Sequence, residues 1–212
     1  MIQIEHTDEE KAYLKEYRED IYNDIYKKIA ELGSELTLGK FKPLGELEEI
    51  LEEERQDGKI VVVSSGAFLL PHYAHKLYLE KAKNLGNILV VSMNTDDSIR
   101  ENDRCTKFVP LYGRIIEIAS AQVVDYICMF NETTPITILD YLRPSIYTKG
   151  VDWEGKPLPE EEVIKKNKGK IVFIDTKEDF SSTTLAGNVK KHDKLKCSHT
   201  KSEGPIEIVS LD

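Results

Sequence analysis

The hydrophobic rhythm of the chain changes partway along. Near the N-terminus, Tyr13, Leu14, Tyr17, Ile21, Ile25, Ile29 and Leu32 recur at steps of three and four, which predicts a helix with one apolar stripe. Asp8, after Thr7, is the candidate cap for a start near Glu9, and Gly33 and Gly39 punctuate the end. Leu44, Leu47, Ile50 and Leu51 predict a second helix to about Arg55, closed by an Asp57-Gly58 turn. From Lys59 the pattern differs. Ile60-Val61-Val62-Val63 is β-branched without polar alternation, as in a strand buried on both faces of a parallel sheet. Ser64-Ser65-Gly66 follows as a small-residue loop of phosphate-binding composition. A helix over about 72–85, closed by Gly86, and a strand over 88–91 complete a βαβ unit.

The alternation continues downstream. Helices are predicted over about 112–122 and 134–142, with strands over 126–130, 146–148 and 171–174. The Lys/Glu-rich stretch 154–170 reads as an exposed helix with paired charges. A short helix is expected after Thr183, and a terminal strand over 206–209 within an otherwise loose tail. The pattern predicts an open, doubly wound α/β sheet. It divides the chain into an N-terminal helical extension (1–43), an α/β domain (44–192) and a C-terminal tail (193–212).

Composition narrows the classes. The 212 residues carry 29 Lys+Arg and 38 Asp+Glu, a net charge of −9, which speaks against bulk nucleic-acid binding but not against a small anion in a local pocket. No apolar run approaches the roughly 18 residues of a membrane span, and the polar, acidic start is no secretory signal. Cys105, Cys128 and Cys197 form no CxxC pair, so the expected compartment is a reducing cytoplasm.

In a doubly wound sheet, ligands bind at the carboxyl ends of the strands. The first such end carries Ser65, Gly66, Ala67 and Phe68, then His72 and His75 at a helix start. Backbone N–H groups at that position hold anions, and small residues let a ligand approach the main chain. The combination suits a nucleoside triphosphate, with the imidazoles donating to phosphate oxygens. A plain polar pair or half a zinc site are the competing readings of the two histidines; zinc wants three or four ligands.

Ser65-Gly66-Ala67-Phe68 followed by His72-Tyr73-Ala74-His75 resembles the Gly-x-Phe-Asp and His-x-Gly-His motifs of the nucleotidylyltransferase superfamily. The likeness is greatest to the heptose-1-phosphate adenylyltransferase group and extends to the glycerol-phosphate and ethanolamine-phosphate cytidylyltransferases. Further segments match in order: 94–100, Phe108-Val109-Pro110 with Arg114, Leu142-Arg143-Pro144, Lys149-Gly150-Val151-Asp152-Trp153, and Ser182-Thr183-Thr184. Leu69, Ala74 and Gly113 depart from the family pattern, which expects Asp, Gly and an acidic residue there.

The resemblance implies a Rossmann-like fold and an enzyme moving a nucleotidyl group, AMP from ATP by the closer likeness, onto a sugar or polyol phosphate with release of pyrophosphate. His72 and His75 would meet the triphosphate, Arg114 would clamp a phosphate and Lys177 would add a cation. Ser182, Thr183 and Thr184 would bind phosphate oxygens at a helix start. Lys149, Gly150 and Asp152 would lie by the nucleotide, and Asn94, Asp96 and Arg100 would touch the acceptor. Mg2+ is implied by the triphosphate (ATP or CTP), with no metal cage in the protein. A homodimer is expected, with no nucleic-acid or membrane partner. The alternatives are a catalytically degenerate nucleotide-binding or assembly subunit, and a cytidylyltransferase for glycerol phosphate or a similar acceptor.

Overall fold

Five parallel strands form one sheet in the order β3-β2-β1-β4-β5. They are β1 (Val61–Gly66), β2 (Ile88–Asn94), β3 (Tyr126–Phe130), β4 (Ile146–Gly150) and β5 (Lys170–Ile174). The helices are α1 (Asp8–Glu31), α2 (Glu35–Lys40), α3 (Leu44–Gln56), α4 (Tyr73–Lys83), α5 (Asp96–Glu101), α6 (Leu111–Ala119), α7 (Ile136–Leu142) and α8 (Glu161–Lys166). The computed structural model describes residues 8–101 and 108–176, with side chains from residue 19. By its contacts the chain divides after Glu178, and every described residue lies in the first unit, Met1–Glu178. Among the described residues, no helix is long and apolar enough to cross a membrane.

The valine run of β1 is explained by two cores. Val62 packs with Leu79, Leu89, Ile115 and Ile127 on the face covered by α4 and α6. Val61 and Val63 pack with Leu47, Val90, Leu139 and Ile164 on the face covered by α3, α7 and α8. With both faces buried, an unpaired polar residue is disfavoured on either, and alternation vanishes. The sheet is therefore the doubly wound, Rossmann-like one expected.

Three details differ from the sequence pattern. Ser64, Ser65 and Gly66 are not a loop: they continue β1, paired with Val91, Ser92 and Met93 of β2. The serines are tolerated there because their hydroxyls are bonded, Ser64 to Thr148 and Ser65 to Ser92, both at 2.5 Å. An extra helix, α2, follows α1, with Gly39 inside it rather than beyond it. Stretch 154–170 is not one exposed helix. Only Glu161–Lys166 is helical, Val163 and Ile164 are buried in the core, and Glu160 is buried as well.

The N-terminal helices belong to the core. Ile29 is fully buried in the α4/α6 cluster, with Ile21 and Ile25 packed against it. Phe41 forms a parallel bridge with Ile127, and Lys42 N donates to Ile127 O at 2.9 Å. This segment occupies the open side of β3, an edge strand that would otherwise present unpaired backbone groups.

Candidate active site

The strand order reverses at the β1/β4 boundary: α4 carries the chain from β1 to β2 on one side, while β4 lies on the other. Loops leaving neighbouring strands there diverge and open a crevice at the carboxyl ends. A cleft of about 550 Å³ occupies it. Ser65, Gly66, Ala67 and Phe68 from the end of β1 form one wall with His75 and Tyr78 of α4. Lys149, Gly150, Asp152 and Trp153 form the other, and Asn94, Phe130, Thr133 and Thr134 close the far side.

The β1–α4 turn sets the histidines. Phe68 has φ +44°, a left-handed conformation that a non-glycine residue adopts only when its surroundings enforce it. Its ring lies 5.2 Å from that of His75, and a Cβ on Gly66 would meet it at 3.2 Å. His72 is the N-cap of α4, and its ring centroid is 4.0 Å from that of His75. The His72 backbone N–H donates to His75 Nδ1 at 3.2 Å. Nδ1 is thus an acceptor, so the neutral ring carries its proton on Nε2. The two residues form a capping box, with the His72 side chain set against the His75 main-chain N–H in return.

Burial, followed by the neighbouring His72, lowers the pKa of His75 from 6.5 to about 4, and burial lowers that of His72. The pair is therefore neutral at pH 7. Between the unfolded 6.5 and the folded value of about 4, the unfolded chain holds the extra proton. Stability from His75 is complete above pH 6.5 and drains away as pH falls through this window. The melting temperature of the ligand-free protein is expected to rise between pH 4.5 and 7, and to lose part of that rise in His75→Ala; calorimetry on the two proteins checks it.

Arg114 occupies a different place from the phosphate clamp expected of it. It is 0% exposed and committed to protein acceptors. Nε donates to Val109 O at 2.8 Å, Nη1 to Ala67 O at 2.5 Å, and Nη2 to Asn94 O at 2.9 Å and Asp96 Oδ1 at 2.6 Å. It ties the ends of β1 and β2 to the start of α6, and so holds the turn that carries Phe68. Of the expected acceptor contacts, Asn94 lines the cleft, although its amide donates to Ser98 Oγ at 2.9 Å. Asp96 is the partner of Arg114. Arg100 stands outside the cleft lining, paired with Asp97 at 2.7 Å.

Lys149, Gly150 and Asp152 are brought together with the β1 wall. Lys149 Nζ donates to Glu160 Oε1 at 2.9 Å and lies 4.7 Å from the Trp153 ring. Its charge is therefore neutralised by a buried carboxylate rather than free for phosphate. A Cβ built on Gly150 would run into Asp152 Oδ1, so the glycine is what lets that carboxylate fold over the main chain. Ala74 is buried and does not line the cleft, so its methyl leaves the cleft wall unchanged. A Cβ on Gly113 would meet Val109 Cγ1 at 2.8 Å, so close helix–loop packing accounts for the missing acidic side chain.

Lys177, Ser182, Thr183 and Thr184 lie outside the described residues. Among the described residues, no group of three or more His, Cys, Asp or Glu side chains converges, so the histidine pair gains no third zinc ligand there. The sequence pattern missed Tyr78, Thr134, Tyr147 and Glu160 as cleft residues. Tyr78 had a helical-spacing signal, three residues after His75 on the same face. The other three had none.

The family model described as cytidylyltransferase-like matches residues 63–189. The bifunctional protein HldE of Helicobacter pylori (strain J99) is 35% identical over 154 residues, covering 72% of this chain and 32% of that protein. HldE of Syntrophotalea carbinolica is 34% identical over 140 residues, covering 66% and 29%. The chain thus spans about a third of the length of these curated relatives. The crystal structure of the lipopolysaccharide core biosynthesis protein from Thermoplasma volcanium is 27% identical, covering 56% of this chain and 96% of that one, with a TM-score of 0.46.

Proposed function

The chain belongs to the cytidylyltransferase-like family, and from that membership and the cleft we propose a nucleotidylyltransferase that transfers AMP from ATP to a sugar or polyol phosphate. An oxygen of the acceptor phosphate attacks the α-phosphorus. The new P–O bond forms as the bond to the β-phosphate oxygen breaks, and pyrophosphate leaves with that electron pair. No protein nucleophile is required, so catalysis is positioning and stabilisation of developing charge.

The observation that carries this reading is the neutral His75, whose Nδ1 is engaged by the His72 main chain and whose Nε2–H is left as a donor beside the cleft. A neutral donor at a helix N-terminus favours the oxyanion that grows on the leaving group. Mg2+ bound to the triphosphate would supply further charge neutralisation. Lys177, Ser182, Thr183 and Thr184 are proposed to meet the β- and γ-phosphates.

The test is direct. The protein is incubated with Mg2+, ATP or CTP, and a panel of hexose, heptose and glycerol phosphates, and pyrophosphate release is followed. Release with ATP and a sugar phosphate is expected; none from any pair would overturn the proposal. A second reading, a subunit that binds nucleotide without turnover, is favoured by the commitment of Arg114 and Lys149 to protein partners. It predicts ATP binding by calorimetry with no pyrophosphate.

Gly150 supplies a further prediction. Gly150 has φ −66°, so alanine brings no backbone strain, only the clash with Asp152. Gly150→Ala is expected to fold normally, within about 1 kcal/mol of the parent, and to weaken ATP binding about tenfold by displacing the carboxylate. Titration of both proteins with ATP checks it.

A further inference from the structure

The far side of the cleft carries two hydroxyls that none of the roles above uses. Thr133 and Thr134, in the loop between β3 and α7, line the cleft together with Asn94 at the end of β2. Neither threonine hydroxyl has a hydrogen-bond partner among the described residues. The loop that carries them is tied down. Thr95 Oγ1 donates to Asn131 Oδ1, Ser98 Oγ to Glu132 O at 2.8 Å, and the Asn131 N–H to Glu132 Oε2 at 3.1 Å. The Thr95 N–H also donates to Phe130 O at 2.9 Å. The ends of β2 and β3 are thereby laced together, and the two residues that follow reach the cleft from a fixed base.

The same bonds orient Asn94. The single proton of the Ser98 hydroxyl goes to Glu132 O, so towards Asn94 that hydroxyl can only accept. Asn94 must turn its NH2 to it, at 2.9 Å. Its Oδ1 is then left over, an acceptor without a partner among the described residues.

This side of the cleft therefore offers one acceptor and two groups that both donate and accept. It offers no cation. Among the described residues, Lys149 is the only cation lining the cleft, and it stands on another wall, paired with Glu160. A phosphate brings only acceptor oxygens, which would meet Asn94 Oδ1 unfavourably. A body with several alcohols matches all three groups, donating to Oδ1 and exchanging bonds with both threonines. The position fits as well. In the sheet, β2 and β3 flank β1 on the side away from β4, where the nucleotide is proposed to lie. An acceptor in line with the departing pyrophosphate needs a wall of its own.

We propose that Asn94, Thr133 and Thr134 are the specificity-determining contacts for the hydroxyls of the acceptor, selecting a polyhydroxy phosphate over a plain alkyl phosphate. This deepens the nucleotidylyltransferase reading and rests on it for the phosphate that the acceptor carries.

The test is calorimetric titration of wild type, Thr133→Val/Thr134→Val and Thr133→Ser/Thr134→Ser. Mg2+ and α,β-methylene-ATP, which cannot release pyrophosphate, are present throughout. The probes are mannose 1-phosphate, a heptose 1-phosphate, glycerol 3-phosphate and propyl phosphate, the last without any hydroxyl. Wild type is expected to bind at least one polyol phosphate about tenfold more tightly than propyl phosphate. The valine variant should lose that preference and the serine variant keep it. Propyl phosphate affinity and the ligand-free melting temperature should be unchanged in the valine variant, because the hydroxyls removed have no protein partner. A wild type that binds no polyol phosphate more tightly than propyl phosphate overturns the proposal. So does a valine variant that keeps the preference, or one that weakens towards every probe and melts lower, as a purely structural role would give. The two proposals fail separately. Pyrophosphate release at equal kcat/KM in wild type and the valine variant removes the polyol contacts alone. A preference lost in the valine variant, with no pyrophosphate release by wild type from any pair, removes the transfer reaction alone.

Discussion

His75→Ala is expected to lower kcat/KM about 10²–10³-fold, the scale seen when one preorganised oxyanion donor is removed. Three constraints converge on the His75 ring and fix it as the donor that the proposed reaction needs. The His72 N–H occupies Nδ1, the Phe68 ring stands 5.2 Å away, and burial keeps the ring neutral. None of these is needed to hold the sheet together, so the variant should remain folded. Its cost is the N-cap N–H of His72 left without an acceptor, on the order of 1 kcal/mol. His75→Gln, which keeps an N–H donor on a longer and looser side chain, should recover part of the rate. Initial rates of pyrophosphate release across acceptor concentrations, with melting curves on the same samples, check both statements. A rate within threefold of the parent, in an alanine variant that stays folded, would remove His75 from the chemistry.

The elements legible from sequence are those in which local pattern and tertiary environment agree. β3 spans Tyr126–Phe130, the stretch expected from its apolar run, because four of its five residues are buried and nothing polar interrupts them. The Phe68–His75 wall of the cleft was legible for a different reason: small residues and histidines follow the end of a parallel strand, where a doubly wound sheet opens its crevice. What escaped was polar and buried. Glu160 sits in a charge-rich stretch between Pro159 and a short helix, and no periodicity separates it from its exposed neighbours Glu161 and Glu162. Its burial is decided by Lys149, eleven positions earlier on another element. Likewise Ser64 and Ser65 look like a loop until Thr148 and Ser92 supply partners from adjacent strands.

Arg114 is an intermediate case. It shares the apolar stripe of α6 with Leu111, Ile115 and Ile118, at spacings of three and four. A cation on a core stripe must be paired inside the protein, so its burial was readable, but its acceptors were not. Three are main-chain carbonyls at Ala67, Asn94 and Val109, which carry no residue-specific signal.

That arrangement makes Arg114→Met the most destabilising single change expected. Burial disfavours the guanidinium charge, and Asp96 restores it. Methionine fills similar volume but donates nothing, so three carbonyls and a carboxylate lose their partner together. Breaking a buried charged network from one side costs about 3–5 kcal/mol, a large part of the roughly 5–15 kcal/mol that holds a domain together. The loss would extend to the site. Ala67 O is the acceptor next to Phe68, and losing that bond loosens the φ +44° turn that sets the ring against His75, leaving the Val109 N–H to Leu69 O bond and the packing of Phe68 to hold it. Arg114→Lys keeps the charge near Asp96 but cannot span four acceptors with one ammonium, so it should fall between the two. Asp96→Asn retains an acceptor for Nη2 and should cost less than either. Urea midpoints for the three variants, read beside their pyrophosphate rates, test the order. If Arg114→Met lies within 1 kcal/mol of the parent, the guanidinium is not the knot that joins β1, β2 and α6, and a phosphate-facing role returns.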